Sequence, residues 1–130
     1  MQFSTRAEYG LKAMVNLAKC YPEQKNIKTI SKEEGISVKY LERLVNALRK
    51  NNLVKSQLGK SGGYTLAKNP KLIKVGEIIE VLEGSISPMK CAEKKCVLNC
   101  NCASSLVWMK LGGQIRKTLY GIRLSELIKN

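Results

Sequence analysis

The sequence predicts a mostly α-helical chain with one small β-hairpin, arranged as a winged helix-turn-helix domain followed by a long C-terminal dimerisation helix. Three observations support this fold class. Two helical patterns are joined by a three-residue turn, a glycine-rich basic segment lies between two short strand-like runs, and a last apolar helical stripe exceeds what one small domain can cover. At 130 residues, the chain has the usual length of a single compact domain.

Two predicted helices precede the turn. The first spans about residues 5–20, where apolar residues recur at the spacing of one helical face: Leu11, Met14, Val15 and Ala18. The second runs from Ile27 to Glu34, because Asn26 can cap its first turn and Gly35 can adopt the left-handed conformation that ends a helix.

A third helix is predicted over Val38–Lys50, with Ser37 as its N-cap. Its inward face consists of Leu41, Leu44, Val45 and Leu48, and its outward face of Lys39, Glu42, Arg43, Asn46 and Arg49. The tight link to the second helix is typical of a helix-turn-helix, whose second helix presents outward residues near its N-terminus to the major groove of DNA. An ordinary helical hairpin with a solvated face is the alternative interpretation.

The segment after the third helix has the pattern of a β-hairpin. Strand-like runs at Leu53–Gln57 and Tyr64–Ala67 flank a basic, glycine-rich tip, Leu58–Gly63. Glycines allow this backbone to approach phosphates or enter a minor groove beside Lys60. Because a hairpin directly after a recognition helix is a wing, the order of the three elements favours the winged helix.

Further helical patterns follow the hairpin. One face, made of Val75, Ile78, Ile79 and Leu82, ends at Gly84, and a loop follows. A longer stripe, made of Trp108, Leu111, Ile115 and Leu119, would be covered by the same helix of a second subunit. Gly112 and Gly113 within it predict either a close helix approach at the dimer interface or a break.

A last short helix is predicted from Leu124, Leu127 and Ile128, which would pack back onto the domain. The expected organisation is a DNA-binding winged domain at residues 1–84, a cysteine-rich sensor loop at 85–103, and the dimerisation and C-terminal helices at 104–130.

The net charge of +13 is unevenly distributed, since the first 75 residues carry 15 basic and 5 acidic side chains. Such an excess suits a polyanion, because lysines and arginines that meet phosphates release counterions. A solvated basic surface and a membrane surface are the alternatives. The chain has no apolar run long enough to span a bilayer and no apolar signal core, so a cytoplasmic protein that does not bind membranes is expected.

The sequence resembles the IscR, NsrR and CymR group of bacterial transcriptional regulators in four segments: Phe3–Leu11, Ile36–Leu44, Gly62–Leu66 and Gly76–Ile79. A fifth segment, Leu82–Pro88, is most similar to the CymR type. The resemblance covers nearly the whole chain. It implies a homodimer whose long C-terminal helices cross, with each winged domain reading half of a two-fold symmetric site in double-stranded DNA.

The resemblance also implies that DNA contacts come from the start of the third helix and from the wing tip. The candidate residues are Ser37, Val38, Lys39, Tyr40, Glu42, Arg43, Asn46, Gly59, Lys60, Ser61 and Gly62. Glu42 can accept a hydrogen bond from a cytosine amino group, whereas Lys39 and Arg43 suit guanine edges or phosphates. Relatives that insert a wing arginine into the minor groove have it just before the glycine, where this chain has Leu58. Either Lys60 replaces that arginine, or reading of the minor groove is weak.

Four of the five cysteines, Cys91, Cys96, Cys100 and Cys102, lie close together. In a cytoplasmic protein this clustering indicates a metal site or a redox switch rather than standing disulfides. The resemblance implies an iron–sulfur cluster, of the 2Fe–2S type, held by Cys91, Cys96 and Cys102, since soft thiolates stabilise iron. Cys100 or Glu8 is the candidate fourth ligand, because the chain has no histidine and some relatives use a carboxylate at this N-terminal position.

Two other kinds of cysteine site are open. A four-cysteine zinc site is disfavoured, because Cys100 and Cys102 are closer than the usual two-residue knuckle allows. A metal-free thiol switch is favoured by the basic neighbours Lys90, Lys94 and Lys95. It would match a CymR-type regulator of cysteine metabolism, controlled by thiol oxidation or by a protein partner such as a cysteine-biosynthesis enzyme.

Single residues also have simpler interpretations. Glu8 suits a solvated carboxylate favoured by the helix dipole, and Cys20 suits a buried or half-buried apolar position. An enzyme is not expected, because the sequence has no histidine and no recognisable pair of catalytic carboxylates.

Overall fold

The computed structural model describes residues 3–57, 59, 62–88 and 103–128. Its longer elements are α1 (Thr5–Cys20), α2 (Ile27–Glu34), α3 (Val38–Lys50), β1 (Val54–Gln57), β2 (Gly63–Leu66), α4 (Val75–Glu83) and α5 (Ser105–Tyr120). Short 3-10 helices lie at Pro70–Leu72 and Leu124–Ile128. The predicted fold class, mostly helical with one hairpin, is therefore confirmed.

The boundaries of the first three helices follow from local capping. Ser4 accepts a hydrogen bond from the Ala7 amide, Asn26 from the Thr29 amide and Ser37 from the Tyr40 amide. Gly35 ends α2 in the left-handed conformation with φ 69°. Because side-chain caps satisfy amides that the first helical turn leaves unpaired, these boundaries agree with the sequence prediction.

The main core lies between α1 and its neighbours. All four predicted inward residues of α3 are buried. Of the predicted α1 face, only Met14 and Ala18 are buried. Leu11 and Val15 are half-buried, and Ala13 and Leu17 take central positions instead. The reason is that α1 packs against α3, α4, β2 and the C-terminal 3-10 helix, so more than one of its sides is covered.

The hairpin forms an antiparallel ladder in which Val54 pairs with Leu66 and Gln57 with Gly63. The predicted ends Leu53 and Ala67 lie just outside the strands, but the Ala67 amide still donates to the Leu53 carbonyl at 3.0 Å. The predicted hairpin is therefore confirmed: β1 begins one residue later than predicted, and β2 begins and ends one residue earlier.

The C-terminal helices pack onto α4. The predicted α4 face is buried, and α4 ends at Gly84 with φ 85°. Helix α5 runs without interruption through Gly112 and Gly113, so the predicted alternative of a break is wrong. Leu124 is fully buried, and its amide donates to the Ile73 carbonyl at 2.8 Å. The predicted return of the C-terminus to the domain, in 3-10 form, is thus confirmed for Leu124 and for the half-buried Ile128. It is wrong for Leu127, which is 40% exposed because it lies on the outer side of this short helix.

None of the helices in the described ranges combines the length and the apolarity needed to cross a lipid bilayer.

Candidate nucleic-acid interface and cysteine segment

The outward face of α3 is solvent-exposed. Most of the predicted contact residues on it are exposed: Ser37, Lys39, Glu42, Arg43 and Asn46. Val38 and Tyr40 are half-buried. The opposite face is buried in the core, so α3 is held by its apolar side and presents its polar side to solvent.

The exposed side chains of α3 differ in their availability for a ligand. The Ser37 oxygen caps the helix, and Asn46 Oδ1 accepts a hydrogen bond from Arg49 Nη2 at 2.7 Å. Within the described part of the chain, Lys39, Glu42 and Arg43 make no ion pair or side-chain hydrogen bond. These three are therefore the groups that can pair with base edges or phosphates without losing an existing contact.

Tyr40 has a structural contact that the sequence did not predict. Its ring meets the ring of Tyr9 edge-on, with the centroids 6.0 Å apart, and Lys12 Nζ lies 5.5 Å from the Tyr9 centroid. Edge-to-face pairs of this kind are favourable beyond the area they bury. The first turn of α3 is thus fastened to α1, which limits the freedom of the Tyr40 ring to reach a groove.

A cleft of about 680 Å³ runs from α3 to the start of α1. Arg43 of α3 and Arg6 of α1 both line it, with Ser4 and Thr5 beside them. Two arginines in its lining give the cleft a positive charge, which suits an anion such as a phosphate. Sequence reasoning missed Arg6, because its proximity to Arg43 arises only when α1 and α3 pack together.

The wing tip is described only in part. The Gly62 amide donates a hydrogen bond to the Gly59 carbonyl at 2.9 Å. The predicted contacts Lys60 and Ser61 lie outside the described residues, as does Leu58.

Glu8 is the only predicted metal ligand within the described residues. It is exposed in the first turn of α1, and its carboxylate lies 3.8 Å from Lys12 Nζ. The simpler interpretation, a solvated first-turn carboxylate, describes this arrangement. The predicted cysteine ligands lie outside the described residues: Cys91, Cys96, Cys100 and Cys102.

Cys20 is half-buried at the end of α1, as predicted. Its thiol contacts the carbonyls of Leu17 and Glu23 at 3.4 and 3.5 Å.

A polar cluster fastens α5 to α4. Glu80 accepts hydrogen bonds from Arg116 Nη1 at 2.6 Å and from the Tyr120 hydroxyl at 2.5 Å. The Tyr120 ring lies directly on Gly76, where a Cβ atom would be 2.2 Å from the ring. Sequence reasoning missed this cluster, since its members come from two helices separated by the cysteine segment.

The cluster changes the acidity of both partners. The hydrogen bond from Tyr120 lowers the pKa of Glu80, with a further contribution from Arg116. Burial and then the hydrogen bond to Glu80 raise the pKa of Tyr120. Both shifts favour the state in which the carboxylate is charged and the phenol is protonated.

Replacing Tyr120 with phenylalanine should lower the free energy of unfolding by about 1 kcal/mol at neutral pH, since it removes one hydrogen bond and keeps the ring on Gly76. Glu80 has a lowered pKa in the folded state, so its contribution is present above its ordinary value of 4.5 and lost as pH falls through the folded value. Tyr120 has a raised pKa, so its contribution is present below 10.0 and lost as pH rises further. Urea unfolding across pH, at one protein concentration, measures the difference.

Tyr21→Phe is the matched control, because the Tyr21 hydroxyl makes no hydrogen bond within the described residues. Identical pH dependences for Tyr120→Phe and the wild type would show that the Glu80 contact contributes nothing to stability.

Comparison with known proteins agrees with this geometry. The chain is 38% identical to the HTH-type transcriptional regulator CymR of Bacillus subtilis (strain 168), over 98% of this chain and 89% of CymR. The solved structure of that protein, the global cysteine regulator of B. subtilis, superposes with a TM-score of 0.83 at 35% identity over 98% of this chain and 95% of the other.

Two further structures are similar. IscR of T. potens has a TM-score of 0.82 at 38% identity, over 98% of this chain and 86% of that one. The oxidized form of Staphylococcus aureus CymR has a TM-score of 0.80 at 31% identity, over 100% of this chain and 98% of the other.

The sequence-based resemblance to the IscR and CymR group is thus confirmed. The relatives are transcriptional regulators rather than enzymes, as expected. The Rrf2 family, described as an iron-dependent transcriptional regulator, matches residues 3–130. Together with the helix-turn-helix and hairpin order, these similarities show that this chain is a transcriptional regulator of the Rrf2 family.

Proposed function

We propose that this regulator binds a two-fold symmetric site in double-stranded DNA as a homodimer and represses transcription in the bacterial cytoplasm. The observation that carries the proposal is the outward face of α3, where Lys39, Glu42 and Arg43 are exposed and unpaired within the described residues. The proposed contacts on α3 are Ser37, Val38, Lys39, Tyr40, Glu42, Arg43 and Asn46, and those of the wing are Gly59, Lys60, Ser61 and Gly62. Lys39 and Arg43 would read guanines or phosphates, and Glu42 a cytosine.

The dimer interface is proposed at α5, with a second copy of this chain as the partner. Ile115 and Leu119 pack against α4 in the same chain. The N-terminal half of α5 exposes apolar side chains that this packing leaves uncovered: Leu106, Val107, Met109 and Leu111. A two-fold axis beside this half would cover the same residues of both chains at once, as an isologous interface requires. Gly112 and Gly113 would allow the two helices to approach closely.

The signal is proposed to act at the cysteines of residues 85–103, between the winged domain (1–84) and the C-terminal helices (104–130). Cys91, Cys96 and Cys102 would hold an iron–sulfur cluster of the 2Fe–2S type, with Cys100 or Glu8 as the fourth ligand. The support is the donor chemistry, since thiolates are the protein ligands of such clusters, and the family's description as iron-dependent. When bound, the cluster supplies a centre sensitive to oxidation and to iron supply.

The start of the sensor loop, residues 85–87, which precedes the cysteines in sequence, lies next to α5. Ser85, Ile86 and Ser87 line a cleft of about 490 Å³ together with Met109 and the two glycines of α5. A conformational change of the cysteine segment would therefore act beside the helix assigned to the dimer interface. In the dimer, this change would couple the cysteines to DNA binding by altering the spacing between the α3 helices of the two subunits.

Purification without oxygen tests the sensor. We expect a brown protein with visible charge-transfer absorption, iron and acid-labile sulfide, all of which are lost in Cys96→Ala. Cys20→Ala is the control, because Cys20 lies at the end of α1, far in sequence from the four clustered cysteines, and should leave the spectrum unchanged. A colourless wild type that binds its DNA fully without metal would contradict the cluster.

A metal-free thiol switch is the second candidate. The observation that favours it is the similarity to S. aureus CymR, which was solved in an oxidized form, together with three lysines near the cysteines. Such a regulator would act on cysteine or sulfur metabolism and could bind a cysteine-biosynthesis enzyme. Metal analysis separates the candidates. Iron with sulfide supports the cluster, and zinc alone supports a zinc site. Absence of metal, together with a change in protein mass that a reductant reverses, supports the thiol switch.

A further inference from the structure

Lys25 connects three elements of the winged domain. Its backbone pairs with the wing strand β2, since the Lys25 amide donates to the Tyr64 carbonyl and the Tyr64 amide to the Lys25 carbonyl, both at 2.9 Å. Its ammonium group donates to Asn16 Oδ1 of α1 and to Glu33 Oε1 of α2, both at 2.8 Å. One residue therefore joins the base of the wing to both helices that precede α3.

Asn16 is the buried centre of this network, with only 6% of its surface exposed. Its Oδ1 accepts from Lys25, and its Nδ2 donates to Glu33 Oε1 at 3.2 Å and to Glu34 Oε2 at 2.7 Å. A buried amide without partners is costly, so this side chain disfavours any arrangement in which the surrounding groups move away. The network thus favours one relative position of its members.

The wing strand approaches the Lys25 segment very closely. A Cβ atom at Gly63 would lie 2.8 Å from the Lys25 carbonyl oxygen. Backbone cannot give way like a flexible side chain, so only glycine permits this contact. The contact occurs at the first residue of β2, next to the wing tip.

The ion pair itself contributes little to overall stability. The Lys25 and Glu33 side chains are 21% and 46% exposed, and pairs near the surface are screened by water. Its importance lies in its position. Glu33 and Glu34 are the last residues of α2, directly before the turn at Gly35 that leads into α3. The network therefore connects β2 of the wing to the C-terminal end of α2, directly before the turn into α3.

We infer that Asn16, Lys25 and Glu33 form a positioning unit that fixes the wing relative to α3, and so determines which DNA flank the wing can reach. This inference rests on the proposed DNA-binding function. None of the three residues needs to touch DNA. Their effect would be geometric, since the wing and α3 must present their contacts to one duplex simultaneously.

The test compares Lys25→Met, which keeps the backbone pairing, with Lys71→Met, an exposed lysine outside the network with the same loss of charge. Glu33→Ala removes the carboxylate that accepts from Lys25. Because the Glu33 side chain is 46% exposed, this second variant is expected to fold. The probe is a duplex that the wild-type protein selects from a random-sequence pool. Affinity, its salt dependence and a hydroxyl-radical footprint are measured well below the melting temperature of each variant.

We expect Lys25→Met and Glu33→Ala to bind the duplex roughly tenfold more weakly, with protection lost at the flanks and retained at the centre of each half-site. The slope of the logarithm of the association constant against the logarithm of salt concentration is negative. Its magnitude should decrease by about 1 for each phosphate contact that the wing loses. Lys71→Met should keep the footprint. In the free protein, the Tyr64 amide should exchange with deuterium faster in Lys25→Met than in Lys71→Met.

An unchanged footprint and salt slope in Lys25→Met, with Tyr64 exchange speeded no more than that of a core amide such as Leu48, would overturn the inference. An ion pair that only stabilises the fold predicts that result, because its loss speeds all amides that exchange through global unfolding alike. A wild type that selects no duplex would instead overturn the proposed function. The exchange comparison would then decide alone whether the network holds the wing.

Discussion

Replacing Lys39 and Arg43 together with alanine should weaken binding to the selected duplex by roughly 30- to 25,000-fold, since each side chain that pairs with a base edge contributes about 1–3 kcal/mol. Both residues are exposed on α3 and lack partners within the described residues. Their loss therefore removes no ion pair or hydrogen bond formed within the described residues, and the fold should be unaffected. Titration of the labelled duplex at a fixed salt concentration measures the change.

The matched control for charge is Lys19→Ala with Lys71→Ala, which removes two exposed positive charges outside α3 and the wing. We expect this pair to weaken binding only slightly and equally for all sequences, as a general electrostatic effect would. Equal losses in the two double variants would mean that charge alone binds the DNA, and that α3 does not read its sequence.

Replacing Val107 and Leu111 with serine should shift the homodimer to monomer, raising its dissociation constant at least about 100-fold, because each buried apolar side chain contributes about 1.5–3 kcal/mol and each occurs twice in a two-fold dimer. The two residues are 57% and 40% exposed in the single chain and lie one helical turn apart on α5. Light scattering over a dilution series measures the change in mass.

Lys110→Ser with Lys117→Ser is the control for the dimer. It also introduces two serines into α5 but leaves the apolar residues Val107 and Leu111 unchanged. It should remain dimeric at the concentrations where the first variant is monomeric. If both double variants keep the wild-type mass, the apolar half of α5 is not the interface. The DNA affinity of the monomer should also fall, since two half-sites can no longer be bound together.

Much of the proposed site could be predicted from the sequence, because its signals are local. Ser37 and Gly35 mark the ends of two helices through interactions within one turn, and the 3.6-residue period of α3 assigns Leu41 inward and Lys39 outward. The glycine-rich tip between two short strands likewise identified the hairpin to within one residue. These features depend on neighbours in sequence, so no knowledge of the packing was needed.

Other functional features were not predictable in this way. Tyr40 was predicted as a DNA contact, and its edge-on contact with Tyr9 of another helix was not foreseen. Arg6 shares a cleft with Arg43 only because α1 and α3 pack together. The α1 face was assigned too narrowly, since a periodic pattern does not reveal how many neighbours surround a helix.

The order of the helices and the positions of the turn and hairpin could be predicted from local sequence alone, as could the side-chain types that suit a polyanion or a metal. Those properties arise from capping, periodicity and side-chain chemistry, which act over a few residues. The folded chain was needed to show that the Lys25 backbone pairs with Tyr64 of β2 and that the Tyr120 ring lies on Gly76 beside Glu80. Such contacts join segments distant in the chain, and they depend on how the helices and strands pack around the shared core.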